Sequence, residues 1–309
     1  NRRKLEVFLN SKECSHFWKK ENGEQYRKLY YSQFSFGQSN PTYHLCRYNS
    51  NFNDKNNHTH FSNFLSQNSF VLRKKPLGRL IATAHDVLRE SHIMKSMFAQ
   101  NIPVPEQLIS CSDENICGTP FYIMRFVPGV VLLDSSLKQQ TPNERRIIYM
   151  NLFKVLAKIH NAKWIPRTRP NIQKSTNIPQ PSEYIGRQLM RWGGSFTQSK
   201  NKKFQSVEDL LEKLSSHKLL QETPAEEFCG VVHGDFRLNN CIYDNNNFNI
   251  AAVVDWELST SGDCMIDVIS ALLEHYLSFD GNELPWRNES YGIPSPRELL
   301  EIYLKERQI

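Results

Sequence analysis

The sequence has no Cys-x-x-Cys pair, no Cys/His cluster at metal-ligand spacing and no internal repeat. A zinc-held module and a repeat array are therefore both excluded. Its seven cysteines, Cys14, Cys46, Cys111, Cys117, Cys229, Cys241 and Cys264, are odd in number. That argues against a disulfide framework and for reduced thiols in an intracellular protein, whether cytoplasmic, peroxisomal or mitochondrial. No run of about 18 apolar residues occurs, so no membrane span is expected. Charge of one sign does not dominate: 38 Lys and Arg stand among 32 Asp and Glu, for a net charge of +6. No cationic stripe with interleaved aromatics appears, so no nucleic-acid partner is expected. The mild basicity suits small anionic molecules. No signal peptide is visible at the start, which is Asn1 rather than Met. Glu298 to Ile309 read as an uncapped helix in progress, so the sequence is expected to be a piece of a longer protein.

What is present is ordinary globular material: 309 residues, 39% hydrophobic, 11% aromatic and 23% charged. That length accommodates one large two-lobed domain or two ordinary ones. Residues 49–68 are rich in Asn, Ser and His with few branched apolar side chains, and read as a disordered insertion. The sequon Asn57-His58-Thr59 within them is read as chance.

The first third alternates strand signals with one helix. Strands are expected at 29–36, 41–46, 69–74, near 107–112 and at 121–124. A helix fits 85–100, where Glu90, Ile93, Met94 and Met97 fall at i, i+3, i+4 and i+7. The chain then turns mostly helical. Thr141-Pro142-Asn143-Glu144 is a capping-box start for a helix over 141–161. Further helices are expected at 182–192, 205–216 and 265–277, a short buried stretch at 228–232, and strands at 241–243 and 248–255. The division falls near 126–130, giving a nucleotide-binding N-lobe over 1–126 and a catalytic C-lobe over 127–309.

The densest signal is Val231-Val232-His233-Gly234-Asp235-Phe236-Arg237-Leu238-Asn239-Asn240. An apolar strand end delivers His-x-Asp, and Asn240 follows five residues after Asp235. A second apolar strand, Ala252-Val253-Val254, then delivers Asp255-Trp256-Glu257. Mg2+ takes hard oxygen ligands, so Asn240 and Asp255 suit a metal completed by phosphates and water. A separate carboxylate must orient an acceptor hydroxyl and take its proton, the role that suits Asp235. Arg237 is placed to meet a transferred phosphate. The spacing copies the protein-kinase catalytic loop with Gly234 in place of Arg. The alternative is a turn whose Asp and Asn merely cap it. His233 reads more readily as a packed, hydrogen-bonded residue than as a base, and His160 as core.

Upstream, Phe36-Gly37-Gln38-Ser39-Asn40-Pro41 is a turn between strand signals, where Gly37, Gln38 and Ser39 could cover phosphates or simply form a hairpin. Val71-Leu72-Arg73 is a strand end carrying a cation. Glu90 shares the apolar face of its helix and needs a cationic partner or a solvent edge; Arg73, Lys74 or Lys75 could supply the partner. Adenine would lie against the backbone from Met124 to Val127. After Asp255, Gly262 and Asp267 follow within 12 residues, leaving no room for a peptide-docking segment. A small-molecule acceptor is expected, with Asp267 accepting N–H bonds from the loop backbone.

These motifs make the sequence similar to the aminoglycoside phosphotransferase family, from about Leu5 to the last residue. It resembles more closely the phosphotransferase-like domain found at the N-terminus of certain acyl-CoA dehydrogenases. Gln33 to Tyr43, Val71 to Pro76 with Ala84-His85, Phe121 to Met124 and Asp255 to Thr260 carry that likeness. The resemblance implies a protein-kinase-like α+β fold, with a small antiparallel-sheet N-lobe bearing one helix and a larger, mainly helical C-lobe. It implies ATP and Mg2+ as cofactors and phosphorylation of a small hydroxyl substrate, a 4-hydroxyacyl-CoA in that subgroup, with a link to an acyl-CoA dehydrogenase. It also implies helices beyond residue 309 and marks 49–68 as an insertion. The rivals are a kinase of an amino alcohol or sugar, and a nucleotide-binding pseudokinase. The joint presence of Asp235, Asn240 and Asp255 argues against the pseudokinase.

Overall fold

The structure is a computed structural model and describes residues 2–11, 14, 28–34, 40–48, 69–77, 86–163, 184–198, 204–216, 226–276 and 289–309. In chain order the elements are α1 (Arg2–Leu9), β1 (Lys28–Gln33), β2 (Thr42–Tyr48), β3 (Ser69–Lys74), α2 (Val87–Phe98), β4 (Gln107–Cys111), α3 (Glu114–Cys117), β5 (Phe121–Arg125) and β6 (Val130–Val131). There follow α4 (Pro142–Asn161), α5 (Tyr184–Gln198), α6 (Gln205–Ser216), β7 (Cys229–Val232), β8 (Cys241–Tyr243), β9 (Ile250–Val253), β10 (Thr260–Asp263), α7 (Met265–Tyr276) and α8 (Pro296–Arg307). The expected loop of Gly37, Gln38 and Ser39, the 49–68 segment and Ala84-His85 lie outside the described residues. The elements group into two compact units: residues 1–133 with 238–257, and residues 134–237 with 258–309.

The first unit is built on an antiparallel sheet in the order β1-β2-β3-β5-β4. Side chains alternate along each strand, so β3 sends Phe70 and Leu72 to one face and Val71 and Arg73 to the other. On β5, Phe121 and Ile123 join the first set. These residues form a core cluster with Leu9, Leu29 and Leu45, against which Leu5 and Phe8 of α1 pack. That helix was not expected from the sequence, because only Leu5, Phe8 and Leu9 mark an apolar face among charged neighbours. The opposite face is covered by α2, which buries Glu90, Met94 and Met97. Asp86 caps α2 by accepting from Arg89 N at 3.0 Å. A second sheet of this unit, β6-β8-β9, is tied to the loop before β4 by a 2.8 Å bond from Val253 N to Pro103 O.

The second unit is mainly helical. Its long helix α4 opens with the expected capping box, Thr141 and Glu144 each satisfying the other's backbone N–H. Buried Arg145 donates to the carbonyls of Leu137 at 2.8 Å and Tyr291 at 3.0 Å, with its guanidinium 3.7 Å from the Tyr291 ring centre. The helix α8 packs on α4 and corrects the reading of an uncapped segment. Ser295 caps it by accepting from Glu298 N at 3.2 Å, Pro296 occupies its first turn, and Gln308 stops it in the left-handed conformation. The strand β10 was not foreseen; Thr-Ser-Gly-Asp is a poor strand former that pairs because β7 supplies a partner. The apolar helix α7 is only half core: Val268 and Ala271 are buried, whereas Ile269, Leu273 and Tyr276 are exposed.

All seven cysteines are free thiols. Burial pushes the Cys46 thiol up to about 11, a small effect of Ser69 opposing it. Among the described residues no helix is long and apolar enough to cross a membrane.

Candidate active site

In the first unit the register of β3 on β5 sets Arg73 opposite Tyr122 and Val71 opposite Met124. Both pairs lie on the face covered by α2. Arg73 Nε lies 3.1 Å from Glu90 Oε2, and neither Lys74 nor Lys75 takes that place. Lys74 instead donates to Cys117 O. Arg73 also reaches away from the helix: its Nη2 donates to Asp255 Oδ1 at 2.6 Å and lies 3.8 Å from Glu257 Oε2. One buried guanidinium thus serves three carboxylates.

The electrostatics follow from that arrangement. Burial alone would pull the Arg73 guanidinium down, but Glu90, Tyr122, Asp255 and Glu257 together outweigh it and raise it above its ordinary value. Glu90, whose side chain is 1% exposed, is pushed up to about 7 by burial, with Asp255 and Glu257 adding to the rise and Arg73 and the Tyr122 phenol opposing it.

Glu257 and Asn40 were not expected to take part. Asn40 is buried and donates its side-chain amide to Glu257 Oε2 at 3.0 Å, while Arg89 donates to the Glu257 carbonyl at 3.2 Å. The only sequence signal for them was position: Asn40 falls within the expected Phe36–Pro41 turn and Glu257 ends the Asp-Trp-Glu motif.

The β8–β9 hairpin delivers the expected metal pair. Cys241 lies opposite Val253, and Val254 N donates to Asn240 O at 2.9 Å. Asn240 therefore enters the hairpin at the end where Asp255 leaves it. Asp255 sits at φ 69°, a left-handed conformation that a non-glycine residue adopts at an energetic cost and that recurs at functional sites. Trp256 is fully buried and anchors this turn by donating from Nε1 to Val253 O at 3.0 Å. Met124 is buried in β5, with Gln107 Nε2 3.7 Å from its sulfur.

Among the described residues no group of three His, Cys, Asp or Glu could hold a metal on its own. The Asn240 amide and the Asp255 carboxylate are hard oxygen donors. They fit Mg2+ as partial ligands, with phosphates and water completing the shell.

The second unit carries Asp235 and Arg237. Arg237 Nε lies 3.2 Å from Asp235 Oδ1, with both side chains reaching solvent. The loop that bears them is held from beneath by Asp267, fully buried in the first turn of α7. Asp267 accepts from His233 N at 2.6 Å and Gly234 N at 2.9 Å, the bonds expected of it. His233 is fully buried, and its Nδ1 accepts from Asp235 N at 3.3 Å. Gly234 has φ 90°, and a Cβ there would lie 2.9 Å from Leu258 Cβ.

A family model of the phosphotransferase enzymes matches residues 31–302. The chain belongs to the phosphotransferase enzyme family. Acyl-CoA dehydrogenase family member 10 of Mus musculus is 34% identical over 275 residues, which is 88% of this chain and 23% of that protein. Acyl-CoA dehydrogenase family member 11 of Homo sapiens is 31% identical over 312 residues, 99% of this chain and 35% of that protein. The phosphotransferase chain therefore spans between about a quarter and a third of the length of these relatives. A crystal structure from Ralstonia eutropha JMP134, assigned to the aminoglycoside phosphotransferases, is similar over 100% of this chain and 80% of its own, with 26% identity and a TM-score of 0.71. The fold of this phosphotransferase is thus the kinase-like α+β fold of that family, and family membership makes it an ATP-dependent phosphotransferase.

Proposed function

We propose that this chain transfers the γ-phosphoryl group of Mg2+-bound ATP to the hydroxyl of a small molecule, and that the acceptor is a 4-hydroxyacyl-CoA. The observation that carries the reaction type is the β8–β9 hairpin, which presents Asn240 and Asp255 at one end while Arg73 binds Asp255 and Glu90. Asn240 and Asp255 hold the metal, which when bound neutralises charge on the phosphates and orients them. Arg73, held in place by Glu90, meets the phosphates, and Gly37, Gln38 and Ser39 cover them. The backbone from Met124 to Val127 takes the adenine edge. Asp235 accepts a hydrogen bond from the acceptor hydroxyl, orients its oxygen and takes its proton. Arg237 offsets charge on the migrating group.

The acceptor class is supported by the two mammalian relatives, both named as acyl-CoA dehydrogenases. A functional link to an acyl-CoA dehydrogenase belongs to the same reading.

The test is a thermal shift with Mg2+-ATP, followed by ATP consumption against 4-hydroxyacyl-CoAs, amino alcohols and sugars. Turnover with the acyl-CoAs supports the proposal. Turnover confined to amino alcohols or sugars moves the acceptor, and nucleotide binding without any turnover marks a pseudokinase.

A further inference from the structure

We propose that His160 and Tyr303 are positioning residues for the catalytic loop, acting on it through Asp267. The inference rests on the reading of Asp235 given above. It starts from donor and acceptor counts in the second unit. His160 ends the buried face of α4, Tyr303 lies in α8 and Asp267 in α7, and all three are buried. Tyr303 Oη lies 2.7 Å from His160 Nδ1, and His160 Nε2 lies 3.3 Å from Asp267 Oδ2.

The direction of each bond is fixed by chemistry. Burial alone would raise the Asp267 carboxyl, but His160, His233 and the Gly234 N–H outweigh it and hold it below its ordinary value. An ionised carboxylate only accepts, so His160 must carry its hydrogen on Nε2. Burial keeps the imidazole neutral, against the pull of Asp267. Its Nδ1 then holds a lone pair that needs a donor. Burial raises the Tyr303 phenol above its ordinary value, so it keeps its proton and donates it there. Donation therefore runs one way, from Tyr303 to His160 to Asp267.

Asp267 fixes the other end. Its two oxygens take the N–H groups of His233 and Gly234, and the His233 ring takes the N–H of Asp235. A carboxylate anchored by His160 sets the height and rotation of the backbone that presents Asp235. Buried polar chains of this kind specify one geometry when every member is satisfied and lose it when one is not. Tyr303 and His160 touch no reacting atom in this account. Their effect is on the placement of Asp235, so they act on the chemical step and leave ATP binding alone.

The experiment uses the full chain with ¹⁵N-labelled histidine, together with Tyr303→Phe, His160→Gln and His160→Leu. Tyr303→Phe keeps the ring that packs edge-on to His160 at 5.5 Å, so it preserves the fold. The expected results are a neutral Nε2–H tautomer for His160 in the natural protein, and faster amide exchange at His233 and Gly234 in Tyr303→Phe. The kcat of Tyr303→Phe should fall about five-fold at unchanged KM for ATP. His160→Gln, which keeps a donor, should retain more kcat than His160→Leu. A neutral Nδ1–H tautomer or an imidazolium in the natural protein overturns the proposal. So does a Tyr303→Phe protein with unchanged loop exchange or unchanged kcat. If the natural protein turns over no acceptor, the reading of its function fails, while the tautomer and the amide exchange still decide this one.

Discussion

Asn40 and Glu257 stand 217 residues apart in the chain and meet through a 3.0 Å hydrogen bond, with Asn40 buried. The donor is a neutral amide and the acceptor a carboxylate that also faces Arg73. Asn40→Ala should lower stability by about 1–3 kcal/mol, the range for losing a bond to a charged group. Asn40→Asp should do more harm at pH 8, because it sets a buried carboxylate against that of Glu257. Melting curves at pH 8 and pH 5 separate the two: the gap should narrow at pH 5 as the new carboxyl protonates. A gap that does not depend on pH would show that charge at Asn40 is unimportant.

Glu90 carries a pH signature of its own. Its folded-state value of about 7 stands above the ordinary 4.5. The folded protein therefore holds a proton that the unfolded chain has already released, and stability from this group is lost as pH rises from about 4.5 to about 7. Glu90→Gln cannot ionise, and Arg73 keeps Asp255 and Glu257 as partners. The melting temperature of the natural protein minus that of Glu90→Gln should fall across that pH interval. A flat difference would refute the assignment. At pH 8 Glu90→Gln should also bind Mg2+-ATP more weakly, since Arg73 loses its tether to α2.

The proposed roles of Asp235 and Asp255 separate under mutation. Asp235→Asn should leave Mg2+-ATP binding nearly intact and lower turnover by roughly 10² to 10⁴, the usual range for a general base. Asp255→Asn should abolish Mg2+-dependent nucleotide binding. Calorimetry paired with turnover on both variants reads the two effects. The opposite pattern, with ATP binding lost in Asp235→Asn and kept in Asp255→Asn, would reverse the assignment.

At Gly234 the constraint is backbone shape. Its φ of 90° disfavours any side chain, and a Cβ would meet Leu258 Cβ at 2.9 Å and Leu258 O at 3.0 Å. Gly234→Ala should destabilise the protein by more than about 1 kcal/mol. It should also raise amide exchange at His233 above that of the natural protein. A fully stable Gly234→Ala protein would mean that the loop relaxes freely at this point.

The parts legible in the sequence were those written in local pattern. β3 occupies 69–74 and α6 occupies 205–216, the expected ranges, because apolar spacing and end signals agree there. The motif around Asp235 and the Asp255 strand could be read because one fixed spacing carries several chemical groups. What stayed hidden depends on partners distant in sequence. β10 exists through β7, and α1 through the core cluster on the first sheet. The sharing of Arg73 among Glu90, Asp255 and Glu257 could not be read either. Sequence order suggests one partner for a cation, whereas α2 supplies Glu90 and the turn after β9 supplies Asp255 and Glu257.

The first unit is assembled from two stretches of chain, and residues 134–237 are synthesised between them. While the ribosome is still short of Leu238, β6 has no β8 to pair with, the Pro103 carbonyl lacks the Val253 N–H, and Arg73 has Glu90 but neither Asp255 nor Glu257. The nascent first unit therefore waits with β6 unpaired and Arg73 holding one of its three carboxylates, and its completion requires closing a long loop. A gene cut after Leu133 would yield a polypeptide lacking that closing strand pair, so neither half of this protein can be obtained as a finished body by a single cut.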